Sequence, residues 1–218
     1  MTTAPTAASR SWRYPAALLA AFAAIFVALG TAPLYRQDWL LENMLVLIAV
    51  PALVVTRHRL RFSDFAYTCM FVFFAIHEIG AHYTYSLVPY DAWFESAFGS
   101  GLNALLGLER NHFDRLVHFL YGLLITPAAI ELFAHYGRYP RVWAAVFPLL
   151  FIVSHSVVYE LVEWGAAMVF GGDLGQAYLG TQGDIWDAQK DMALAALGAV
   201  IAVTAYGLAG RLPERGHP

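Results

Sequence analysis

The sequence predicts an all-α, polytopic transmembrane helix bundle of six spans with both termini cytoplasmic. Two observations carry the fold class. Of 218 residues, 59% are hydrophobic and only 13% charged, where soluble domains carry about a quarter charged. Apolar runs of membrane-crossing length also recur along the chain. About 20 residues suffice for each, because a helix rises about 1.5 Å per residue and leaves no backbone group unpaired in lipid. One cysteine, Cys69, excludes an intramolecular disulfide or a multi-cysteine metal site. A net charge of -3 gives no basic footprint for nucleic acid. The partner that composition names is the membrane lipid bilayer.

The spans fall at residues 14–34, 39–56, 64–85, 111–133, 141–170 and 187–210. The first follows Arg10 and Arg13, as a signal peptide would, but its apolar run exceeds the roughly 7 to 15 residues of such a segment. It reads as a retained helix, with cleavage near Thr31-Ala32-Pro33 as the alternative. The second is the shortest and carries Glu42, Asn43 and Pro51. Segment 86–110 mixes Tyr90, Trp93, Phe94 and Phe98 with Asp91 and Glu95, a composition suited to the headgroup interface. Glycines punctuate the loop 171–186. Arg10, Arg13, Arg57, Arg59, Arg61, Arg138, Arg141, Arg211 and Arg215 fall on one side, nine of the 13 cationic residues. That side is cytoplasmic by the positive-inside rule. Tails 1–13 and 211–218 are then cytoplasmic, around one integral-membrane domain, 14–210.

Ionisable side chains at membrane depth are costly, so their presence calls for a partner or a task. Four stripes carry them. Glu78 and His82 share a helix face, with His77 about 100° around. Asn111, Asp114 and His118 line one stripe of the fourth span, followed by Ser156, Glu160 and Glu163 in the fifth, with His155 and Tyr159 beside them. In the sixth, Asp184, Asp187 and Asp191 give way to Ala195 and Gly198, small residues that let another helix pack closely. Counted along each helix, all four stripes reach the outer half of the membrane. Seven carboxylates there face Arg115 and Lys190, so some must be protonated, face water or share a cation. Glu131, near the cytoplasmic end, reads as a surface residue.

These motifs resemble the YjdF family of bacterial inner-membrane proteins, which carry a domain of unknown function. The resemblance rests on His77-Glu78-x-x-x-His82, Asn111-x-x-Asp114-Arg115-x-x-His118-Phe119, Glu160-x-x-Glu163-Trp164 and the run from Gly180 to Met192, and covers nearly the whole chain after the first span. More distantly the chain is similar to VanZ-like membrane proteins. Asp114 and His118 match their Asp-x-x-x-His pair. Glu160 fits the next pair with Glu163 in place of Gln, and Asp191 and Gly198 fit the last motif with Ala195 in place of Asn. Neither family brings a reaction; the VanZ likeness points to the cell envelope.

The resulting expectation is an acid- and histidine-rich pocket open to the periplasmic side, belonging to a membrane-embedded enzyme for a lipid or lipid-linked envelope substrate. A divalent metal (zinc, manganese or iron) would be held by His77, His82, His118, His155, Asp187 and Asp191, since imidazole with carboxylate suits these ions. Glu78, Glu160, Glu163 and Asp114 are the candidate catalytic carboxylates. Lys190, Arg115, Asn111, Asp184 and Gln189 are the candidate substrate-binding groups. A proton-coupled transporter and a lipid-headgroup-binding accessory protein are the alternatives. The orientation has a direct test: a cysteine placed at Asp173 in a Cys69→Ser background reacts with a membrane-impermeant maleimide in intact spheroplasts. Protection of that cysteine, with labelling only after lysis, would invert the topology.

Overall fold

The computed structural model describes residues 11–172, 175 and 179–213. Arg10, Asp173, Arg215 and His217 lie outside the described residues. Among the described residues the chain is wholly helical: α1 (Arg13–Gly30), α2 (Arg36–Glu42), α3 (Met44–Thr56), α4 (Asp64–Tyr83), α5 (Tyr90–Phe98), α6 (Leu102–Leu106), α7 (Phe113–Tyr136), α8 (Arg141–Phe170) and α9 (Asp187–Leu208). Five of these, α1, α4, α7, α8 and α9, are long and apolar enough to cross a membrane. The second predicted span departs from a single helix. It is the pair α2 and α3, bent by 42° at Asn43, and it makes a sixth span when taken as one. Asn43 holds the bend, donating from its side chain to the Trp39 carbonyl at 2.9 Å. Segment 86–110 forms the short helices α5 and α6, neither of which has the length to span.

α7 is the centre of the bundle, packing against α4, α8 and α9, while α1 lies on α4 and α9 also meets α8. The α7–α9 contact is made backbone to backbone. A Cβ placed on Gly122 would sit 1.9 Å from the Ala195 carbonyl oxygen, and one on Gly198 would sit 2.2 Å from that of Phe119. Without a hydrophobic driving force between helices in lipid, such close van der Waals approach is what holds them together. The small residues seen in the sequence below Asp191 therefore serve as the seam.

Packing clusters fix the two ends of the bundle. At one end Leu60, Phe62, Ala66 and Met70 pack on Ala128. At the other, Tyr85, Val88, Phe113 and Val117 join the end of α4 to the start of α7. Glu131 belongs to the first end, and here the expectation of a surface residue is corrected. Its carboxylate accepts from the Ser63 backbone N–H at 2.6 Å and from the Ser63 hydroxyl, while that hydroxyl caps α4 at the Ala66 N–H. It is a tie between α7 and the start of α4, placed to satisfy donors that a helix N-terminus leaves open.

The seam predicts an asymmetry between two glycine substitutions. Gly122→Ala destabilises the detergent-solubilised protein by about 3 kcal/mol or more, since the added methyl meets fixed backbone. Gly165→Ala, where nothing lies within 4 Å of the added carbon, leaves stability level or raises it by up to about 1 kcal/mol through helix propensity. Thermal unfolding of both variants in one detergent checks this.

Candidate functional site

Two groups of charged residues meet where α4 and α8 end and α7 and α9 begin. The outer group is an ion-pair knot. Arg110 reaches Asp187 at 2.6 Å and the carbonyls of Thr181 and Gly180 at 2.9 and 3.3 Å. Arg115 bonds Asp184 and lies 3.2 Å from Asp187. Lys190 donates to Asp184 at 2.6 Å. Gln182 closes the same junction, its side chain pairing with both the N–H and the C=O of Asn111 at 3.0 Å. The knot thus ties the segment before α9 to the start of α7. The Lys190 ammonium, the Trp186 N–H and the Arg115 guanidinium hold the Asp184 carboxyl well below its usual range. Burial, with the Arg115 and Arg110 charges, holds neighbouring His112 below its own.

The inner group is built differently. Asp114 and His118, one turn apart on α7, meet Asp191 of α9, and one ligand atom from each lies within 4.8 Å of the others. His118 Nε2 stands 3.5 Å from Asp114 Oδ1 and 3.6 Å from Glu160 Oε1. Those spacings exceed a direct hydrogen bond; an ion or a water between the groups would fill them. Asp191 is 2% exposed, and its Oδ1 has no hydrogen-bond partner. Glu163, also buried, lies one helical turn beyond Glu160 on α8. Among the described residues, the ion pairs of Arg110, Arg115 and Lys190 all go to Asp184 and Asp187, so the cations of the knot are spent before they reach this group.

Several predicted site residues stand elsewhere. His82 turns toward α1, its Nδ1 2.8 Å from the Leu29 carbonyl. His77 is bonded to the Tyr85 hydroxyl. Tyr85 is placed by Thr84 and itself, both at positive φ (59° and 44°), a conformation that non-glycine residues rarely adopt and that lays the Tyr85 ring over Gly80. His155 is bonded to Tyr121 at 2.8 Å and stacked on Phe151. Asp187 is an arginine partner rather than a ligand. Glu78 is fully buried beside Trp39 and Asn43. Asn111 is a structural cap, donating to the Val88 carbonyl at 2.8 Å and accepting from Phe113 N–H at 3.0 Å. Arg115, Lys190 and Asp184 are bound to one another, and Gln189 is solvent-exposed on the first turn of α9.

Sequence reasoning missed Arg110, whose position in a loop carries no periodic signal. It also missed Glu42, which is buried and accepts from the Tyr159 hydroxyl at 2.8 Å, while the Tyr159 ring meets His118 edge-on. The signal was present: Glu42 and Asn43 stand inside an otherwise apolar span, with Asp38 just before it.

The inner group opens onto a cavity of about 490 Å³ between α3, α4, α7 and α8, mostly apolar in its walls but lined also by His77, Asp114, His118, His155, Ser156 and Tyr159. Fold and site together define a multi-pass helical membrane protein with a buried acid–histidine centre at the head of an apolar slot. Residues 14–211 match the family described as predicted membrane protein (DUF2238), and the chain belongs to that family. It is 36% identical over 181 residues to the Inner membrane protein YjdF of Escherichia coli (strain K12), covering 82% of each chain. No solved structure matches it.

The knot predicts a pH dependence. Because the folded Asp184 is held below its ordinary range, its contribution to stability is present above the unfolded value of about 4 and is lost as pH falls through the folded value. The stability difference between wild type and Asp184→Asn in detergent therefore stays constant from pH 7 to about pH 4 and shrinks only below. A difference already gone by about pH 6 would contradict this placement.

Proposed function

We propose that this chain is a membrane-embedded, divalent-metal-dependent enzyme acting on the polar end of a lipid or lipid-linked envelope substrate, in the bacterial inner membrane where its E. coli relative is named. The observation that carries the reading is the convergence of Asp114, His118 and Asp191 without a fixed cation, at the polar end of an apolar cavity. Two carboxylates and an imidazole suit zinc, manganese or iron. Three protein ligands leave a coordination position open, as catalytic sites require.

A bound ion would supply Lewis acidity and a nucleophilic water at neutral pH. Glu160, 3.6 Å from His118 Nε2, is placed to take a proton through a water, and Glu163 a turn beyond extends the acceptor. Asp114 and Asp191 stand beside the imidazole as the two carboxylate ligands. Tyr159, tethered to Glu42, packs on the open face of His118 and excludes bulk water there. A transporter is disfavoured by position: the centre lies at one end of the helices rather than at the midplane where alternating-access sites form.

Elemental mass spectrometry of protein purified in mild detergent tests the proposal. Wild type and His82→Ala hold close to one equivalent of metal, because His82 bonds α1 outside the centre. His118→Ala, folded by circular dichroism, holds at least about tenfold less. Metal-free wild type, or equal loss in the two histidine variants, would overturn it.

A further inference from the structure

The cavity has a shape that narrows what its occupant can be. Its longest wall is α7, lined from Asp114 to Tyr136, about 33 Å of helix, with α3 from Leu45 to Thr56 facing it. A volume of about 490 Å³ falls within the roughly 300 to 1,000 Å³ of sites that hold one small-molecule-sized ligand, so the slot suits one chain-sized occupant. α3 has no closely packed partner among α4, α7 and α8. It is apolar on both faces, with Leu47, Ile48 and Val55 exposed at 50, 62 and 76%. The space between it and the bundle therefore borders the hydrocarbon phase, not water.

An apolar space of this size disfavours water, which needs several polar partners to stay, and left empty it would forfeit the dispersion contacts of its walls. The lining is mostly apolar, and its acidic and histidine side chains His77, Asp114, His118 and His155 gather toward the acid–histidine centre, with Thr56 and Tyr136 at the other end. That matches an amphiphile lying parallel to α3 with its polar end at the acid–histidine centre. The arginines and lysine of the knot do not line the cavity, so nothing in the slot selects for a phosphate.

We infer that the slot is a binding site for a single acyl chain of a membrane lipid, entered sideways past α3, with the chain's polar end delivered to Asp114 and His118. The identity of the reaction rests on the proposed function; the chain-binding site does not.

A long-chain fatty acid carrying a mid-chain diazirine, photolysed with the detergent-solubilised full-length protein, reads the site directly. Cross-links map to α3, α7 and α8 residues lining the slot. Lysophospholipid competes them away, and diacyl phospholipid at equal concentration competes at least about fivefold less well. Ala49→Trp, which puts a ring into the slot from its least packed wall, reduces them at least about fivefold while metal content stays at the wild-type level. Cross-links spread evenly over the lipid-facing helix surfaces and unchanged by Ala49→Trp would overturn the inference, as would equal competition by the two-chain lipid. Wild type without metal but with the slot cross-links intact would sink the enzyme reading and leave the slot standing, so the two failures are separable.

Discussion

The approach of α7 and α9 to backbone contact is the constraint on which the rest of the molecule depends. Gly122, Ala195 and Gly198 remove the side chains that would hold the two axes apart. The register this sets brings Asp114 and His118 level with Asp191, one turn above Ala195. No attraction between carboxylates would draw those residues together; apposed acids repel in a medium of low dielectric. The seam below makes the contact, and the acids are carried into it.

That geometry raises a charge problem, which the molecule solves for only two of the six acids gathered there. Asp184 and Asp187 receive Arg110, Arg115 and Lys190, and the same ion pairs fasten the segment before α9 to the head of α7. Asp114, Asp191, Glu160 and Glu163 receive none of them. Buried ion pairs near a helix terminus are ordinary structural parts. Uncompensated carboxylates around a histidine within the spanning helices are not, and a structure that retains them needs a cation or a proton there. The division into a paired outer group and an unpaired inner one is what separates scaffold from site.

Much of this was legible in the sequence. Apolar runs located the long helices, because hydrocarbon demands continuous apolar length and leaves few other ways to satisfy a backbone. Residues three and four apart on one helix, such as Asp114 with His118 and Glu160 with Glu163, were correctly grouped, since helical periodicity alone puts them on a face. Which stripes face one another was not legible. His77, His82 and His155 carry the same local pattern as His118, yet Tyr85, the Leu29 carbonyl and Tyr121 each take one of their ring nitrogens, Nδ1. Those partners are set by tertiary packing and have no local periodicity. The break at Asn43 was hidden for a related reason: an adjacent polar pair such as Glu42-Asn43 in a span marks a cap, a kink or a site equally well. The role of Arg110 depends on a loop closing across more than 70 residues onto Asp187.

The measurement that tests the division most directly is a Mn²⁺ titration of the metal-stripped, detergent-purified protein followed by electron paramagnetic resonance. One tight site per chain, kept in Asp184→Asn and abolished in Asp191→Asn, is the result that follows from a paired outer group and an unpaired inner one. Equal loss in both variants, or no tight site in the wild type, would contradict it.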